Sequence, residues 1–313
     1  MSTNNSDQYY VPESSGLALT TATSVATMVG GLSIAFNGLT FGDGTGGIGW
    51  IIALAGLTLF FATLFVWFRT TIIENHQGLA NSQLKKSYAL GMQWFIFSEV
   101  CFFGIFFGTL FYLRNYAGPW LGGEGTKVGD TNGVLWEGFK YAWPMMTTPQ
   151  EAIGISNQVQ ANNGIFTSPT GLMHWNGIPL INTILLLSSS VTCHFAHTAL
   201  LANNRSRFNI LLGLTLILGF VFVGFQVEEY REAYIELGLT LKSGVYGSTF
   251  FILTGFHGFH VCMGATILLV QWLRSTTKGD FTAEDHFGFE AASWYWHFVD
   301  VVWVGLFLFV YII

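Results

Sequence analysis

Seven ionisable side chains sit in the middle of apolar runs, and their types and spacing set the chemistry open to this chain. Glu99 lies inside MQWFIFSEVCFFGIFFGTLF, with Phe95, Ile96, Phe102 and Phe103 as its neighbours three or four residues away. Such a carboxyl either carries protons or organises lipid, or it serves packing as a hydrogen-bonded acid. Histidines recur as His194-x2-His197 and His257-x2-His260, and the same spacing returns as His297-x2-Asp300. Helical residues three apart share a face, so these groups can be drawn together with Glu99 on a metal or haem. Against that, each pair has at most one carboxylate to work with, whereas carboxylate-bridged metal sites use several. Hydrogen-bonded glue between helices fits the residue types better, with Asp300 accepting hydrogen bonds and His297 bridging to a neighbouring helix. We assign no metal ligand and no catalytic residue.

Three further groupings lie at the ends of apolar runs. In FQVEEYREAYIEL, Glu229, Glu232 and Glu236 are spaced as an acidic helical face with Arg231 beside it, suited to a basic partner or simply to water. Trp67, Arg69, Glu74 and His76 form an aromatic and charged cluster at interfacial depth, where a phospholipid headgroup or plain anchoring is served. Arg274, at the end of another run, is a further headgroup candidate.

These residues must be positioned by membrane helices. Only 10% of the residues are charged and 51% are apolar, against about 25% charged in a soluble domain. Seven segments reach the roughly 20 residues a spanning helix needs. They lie near Leu17–Thr40, Ile48–Phe68, Tyr88–Leu113, Ile178–Leu201, Phe208–Gln226, Tyr246–Leu273 and Glu290–Ile313. The chain reads as an all-α polytopic membrane protein, divided into a polar tail (1–16), two helices and an inner loop (17–87), a third helix (88–113), a long outer loop (114–177) and four more helices (178–313). The tail lacks the basic region of a signal peptide, so the first helix is expected to remain in the mature chain. Cys101, Cys193 and Cys262 fall inside apolar runs, which argues against disulfides and thiolate metal sites. The net charge of −6 argues against nucleic acid. Lys and Arg concentrate in one set of loops, which orients the N-terminus to the cytoplasm and the C-terminus outward.

The first span is polar for a membrane helix, with Thr20, Thr21, Thr23, Ser24, Thr27 and Ser33 around Gly30-Gly31, and is expected to pack closely on a neighbour. Thr254, Gly258 and Cys262 suggest a second small-residue stripe. The outer loop carries Trp120, Trp136, Phe139, Tyr141 and Trp143, and a short helix is expected around Val134–Trp143.

Several motifs resemble subunit III of the haem-copper cytochrome c oxidases. They are DHFGFEAASWYWHFVDVVWVGLFLFVY (285–311), SEVCFF (98–103), PLINTILLLSSSVTCHFAHTAL (179–200), EYREA (229–233) and GVYGSTFFILTGFHGFHVCMGATIL (244–268). The resemblance implies seven helices, the first two splayed from a five-helix bundle around a lipid-filled cleft. It implies a subunit with no redox centre of its own, haem and copper residing in partner subunits I and II. Such a subunit binds subunit I directly, holds phospholipid, and supports proton uptake, turnover stability and oxygen access; further small subunits complete the assembly. Glu99 matches the family's intramembrane glutamate, and Trp67, Arg69 and Glu74 match its W-x-R-x4-E headgroup region. After Glu74 the sequence departs from the family's Q-G-H-H-T, reading Gln77-Gly78-Leu79-Ala80-Asn81, and His76 stands as a replacement headgroup ligand. The long loop exceeds the family's usual connection, which favours a bacterial cytoplasmic membrane. The equivalent subunit of a quinol oxidase or nitric oxide reductase is the nearest alternative. A membrane metalloenzyme and a small-solute transporter are more distant ones.

Overall fold

The computed structural model describes residues 14–42, 44–127, 130–152 and 168–312. Seven helices among them are long and apolar enough to cross a membrane, and no strand occurs among the described residues. The polar tail up to residue 13 and the loop segment 153–167 lie outside the described residues. The chain forms two compact units, residues 1–90 and 91–313.

The first unit is a hairpin of α1 (Leu17–Phe41) and α2 (Gly46–His76), followed by the start of α3 (Ser82–Tyr112). Most of the hydroxyls that make α1 polar are satisfied within the helix itself. Thr21 bonds the carbonyl of Leu17, Thr23 that of Leu19, Ser24 that of Thr21 and Thr27 that of Thr23. Its packing seam is made of small residues in one continuous register. A side chain on Gly31 would strike the backbone of Ala53, one on Gly38 that of Gly46, one on Gly49 that of Ala35, and one on Gly56 that of Met28. The spacing of three and four residues keeps these positions on one face of each helix. Gly30, the other glycine of the pair, faces open space.

The second unit contains the rest of α3, then α4 (Gly118–Leu121), α5 (Pro149–Ala152), α6 (Ile178–Leu201), α7 (Arg205–Ile235), α8 (Gly244–Thr277) and α9 (Phe287–Leu306). A turn of π-helix, Leu113–Ala117, joins α3 to α4, and another, Phe307–Ile312, extends α9. α9 is central. Its Trp296 and Trp303 are fully buried, and their indole N–H groups donate to Ser189 Oγ and Thr183 Oγ1 on α6, each at 3.0 Å. Room for Trp296 comes from Gly219 on α7 and Gly264 on α8, where an added methyl would meet the indole ring. Burying such a ring between helices replaces lipid contact with denser protein contact, the main attraction open to helices in a bilayer. The stripe Thr254, Gly258, Cys262 does not form a seam: Thr254 is buried, but Gly258 meets open space and Cys262 is exposed.

The helices overrun several of the expected ends. α2 continues to His76 and α7 to Ile235, while α3 with its π turn and α4 carries helix to Leu121. The expected short helix around Val134–Trp143 is absent; tight turns occupy 130–138. Its side chains bond elsewhere instead of supporting a local helix. Asn132 donates to the carbonyls of Gly122 and Phe139, Trp136 to that of Leu121, and Gly138 takes a φ of 92°. Tyr141 OH donates to the Arg114 carbonyl at 2.6 Å, its ring lying where Gly118 has no side chain. Burial raises the Tyr141 pKa above 10.0, Arg114 working against that and Glu124 with it.

Candidate functional site

The intramembrane carboxyl and the sixth-span histidine meet. Glu99 on α3 and His260 on α8 approach to 2.8 Å between Oε2 and Nε2, in a cage of Phe102, Phe103, Phe259 and Tyr295. His260 Nδ1 lies 2.6 Å from the Phe256 carbonyl, which can only accept, so Nδ1 carries a proton. The short Nε2–Oε2 bond then holds one further proton, on the acid or on the ring. Either way the pair is neutral as a whole. That is the condition under which an acid can be kept at this depth, since an unpaired charge there is costly. His260 is 7% exposed and Glu99 21%, so the acid side of the pair opens outward from this chain.

The other candidates do not converge on it. His257 donates from Nε2 to the Val299 carbonyl at 3.2 Å and packs against Trp303 and Phe222. His297 bridges to α6 through Ser190 Oγ, 2.7 Å from Nδ1. Asp300 lies beside the same imidazole as its ion-pair partner. Its Oδ2 is 3.6 Å from His297 Nδ1, beyond hydrogen-bond range, and neither of its oxygens makes a hydrogen bond among the described residues. Ser190 Oγ and the Asp300 carboxylate thus both lie against His297 Nδ1, the hydroxyl the nearer.

His197 pairs with His286, a residue the spacing gave no reason to select. Their Nε2 atoms lie 3.3 Å apart, and His286 Nδ1 donates to the Thr282 carbonyl at 3.1 Å. His194 is exposed and stands edge-on to Phe195. Among the described residues no three His, Cys, Asp or Glu side chains come together as a metal-holding group.

The acidic face is corrected as well. Glu229 is fully buried, and its Oε1 accepts from Tyr311 OH at 2.5 Å. Gln226, Glu229 and Ala233 form the inward stripe of α7, so Glu229 is withdrawn from any partner outside the chain; Glu232 is half-buried, and Glu236, the cap just past the helix end, is exposed. Arg231 is taken by Glu228, which the expected face left out. Sequence neighbours do not separate Glu228 from Glu229, since Val227 and Tyr230 flank both; the helical register does, Glu229 continuing the buried positions Gly219, Phe222 and Gln226 at three- and four-residue spacing.

At the end of α2, Trp67 and Arg69 are exposed, Glu74 is half-buried and His76 exposed. Arg274 is engaged inside its own chain: Nε meets Asp280 Oδ2 at 3.1 Å, Nη1 meets Gln271, and the guanidinium lies over the Phe281 ring. Its availability to a headgroup is correspondingly reduced.

Most hydrogen-bonded polar contacts between membrane helices among the described residues are separate pairs, such as Glu99 with His260, His297 with Ser190 and Tyr230 with Thr254. The family model described as cytochrome c oxidase subunit III matches residues 7–129 and 155–313. The chain belongs to the cytochrome c oxidase subunit III family. Relatives named cytochrome c oxidase subunit 3 include those of Scyliorhinus canicula, 37% identical over 97% of this chain and 96% of the relative, and Hippopotamus amphibius, 35% over 99% and 98%. That of Damaliscus lunatus is 36% identical over 99% and 98%. Membership makes this chain a multi-pass subunit of an oxidase complex. The stretch 130–154, within the long outer loop, lies outside the family match.

Proposed function

We propose that this chain is the non-redox subunit III of a proton-pumping cytochrome c oxidase in a bacterial cytoplasmic membrane. In this reading it binds subunit I directly, sits with subunit II and further small subunits, and holds phospholipid. It supports proton uptake and turnover stability and gives oxygen an apolar approach. Haem and copper are held by the partner subunits. The observation that carries the proposal is the pairwise closure of the intramembrane polar groups. Glu99 with His260, His297 with Ser190, Tyr311 with Glu229, and Tyr230 with Thr254 each join two helices, and none leaves a clustered ligand set. Side chains arranged this way hold helices together and retain protons without presenting a reacting centre. Trp67 and Arg69, outward-facing at the end of α2, suit a headgroup phosphate. Arg69, Lys85, Lys86, Arg205, Arg207, Arg274 and Lys278 fall at the helix ends and turns on one side, against Arg114, Lys127, Lys140, Arg231 and Lys242 on the other, which supports an N-terminus in the cytoplasm.

The test is purification of the complex from its native membrane, with subunit composition, haem spectrum and metal content measured together. The chain should co-purify with the haem-bearing subunit, and a preparation stripped of this chain should retain its full haem and copper. Stoichiometric metal travelling with the chain would overturn the non-redox role.

A further inference from the structure

Three buried polar side chains in the outer half of the second unit are left without enough partners. Asn182 on α6 and Glu229 on α7 are fully buried, and Gln226, one turn before Glu229, is 6% exposed. Among the described residues, neither side-chain polar atom of Asn182 nor of Gln226 makes a hydrogen bond, and Glu229 Oε2 makes none.

The helix register puts these groups at one level. Thr192 on α6 and Thr215 on α7 are joined at 2.8 Å. Asn182 precedes the first by ten residues and Gln226 follows the second by eleven, on helices running in opposite directions. At about 1.5 Å per residue they lie about 15 and about 16.5 Å from that pair, on the same side. Trp303 gives an independent gauge. Its indole bonds Thr183, next to Asn182, and its ring centre stands 4.8 Å from that of Phe222, one turn before Gln226. Trp303 therefore floors the layer. Tyr311, 6.0 Å from Trp303 between ring centres and bonded to Glu229, closes its other end.

We infer that this layer is a binding site for internal water, shared by Asn182, Gln226 and Glu229. The groups are enclosed by their own chain, so neither lipid nor a partner subunit reaches them. The unpaired atoms include both amide N–H donors and oxygen acceptors. A cation serves the oxygens alone and leaves the amide N–H groups unmatched; water serves both. The result is a hydrogen-bonded string running from Tyr311 through Glu229 and water to the two amides.

A density map of the intact oxidase, at a resolution that shows ordered water, tests this. It should show at least one peak at hydrogen-bond distance from Glu229 Oε2 or from both amides. Direct pairing of Asn182 with Gln226 and no peak would overturn the inference, as would a peak ringed only by oxygens at metal–ligand distances. Infrared spectra of the same complex in ordinary and oxygen-18 water give a second measure. The isotope-sensitive O–H bands should lose a component in the Gln226→Leu complex, and an unchanged set of bands would count against the site. If that variant fails to assemble, the map of the unaltered oxidase decides alone.

Discussion

Glu99 and His260 are hydrogen-bonded across 2.8 Å, so the consequences of changing either depend on whether the partner is left with a bond. In Glu99→Gln the amide preserves shape and hydrogen bonding, and we expect full assembly with only a modest change in oxygen consumption. In Glu99→Leu the buried His260 nitrogen loses its partner, at a cost of about 1–3 kcal/mol. Recovery of the subunit with the complex should fall accordingly, measured by subunit stoichiometry. Loss of all oxygen reduction in Glu99→Gln with haem absorbance intact would instead make Glu99 an obligatory proton carrier. At Asp300, whose carboxylate faces His297 at 3.6 Å without a direct hydrogen bond among the described residues, Asp300→Asn should lower recovery less than Ser190→Ala, which frees His297 Nδ1. Side-by-side quantification of the two variant complexes checks the order. The sequence revealed which acids and histidines lie in the spans. It did not reveal their partners, because Ser190, His286 and Tyr311 are ordinary residues until helix rotation brings them opposite.

The α1–α2 hairpin depends on absent side chains. Gly31→Val would drive a branched side chain into the Ala53 backbone, which cannot move aside, so the seam must open. Gly30→Ala meets open space and replaces a flexible helical residue, a gain of about 0.5–1 kcal/mol. Thermal denaturation of the two purified complexes should therefore shift in opposite directions. The seam could have been read from Gly46, Gly49, Ala53 and Gly56, whose three- and four-residue spacing repeats in α1 at Met28, Gly31, Ala35 and Gly38. The adjacent Gly30-Gly31 was the more visible feature and the less informative one. The end of α7 was underestimated for a different reason. Its charged residues mark where apolar composition stops, but nothing in VEEYREAYI breaks a helix, and the chain turns only at Gly238, with a φ of 60°. That extra length brings Glu229 onto the buried stripe.

At the scale of the molecule, the seven spans were legible because each exceeds the length a bilayer demands, a signal independent of tertiary contacts. The outer loop was not, because Asn132, Trp136 and Tyr141 fold it through bonds to carbonyls 7 to 27 residues distant, for which composition carries no marker. The proposed orientation has a direct test. In intact cells, a membrane-impermeant thiol reagent should label Lys242→Cys and spare Lys86→Cys, with the pattern exchanged in inside-out vesicles. The opposite result would invert the topology. The lengths of α7 and α8 have a consequence beyond topology. At 31 and 34 residues they extend about 46 and about 51 Å, whereas the hydrocarbon layer is about 30 Å thick. The surplus of α7 lies in its end turns, which carry Arg205 and Arg207 at one end and Glu228, Arg231 and Glu232 at the other, so these turns stand clear of the acyl chains as a rigid helical extension into the headgroups and water.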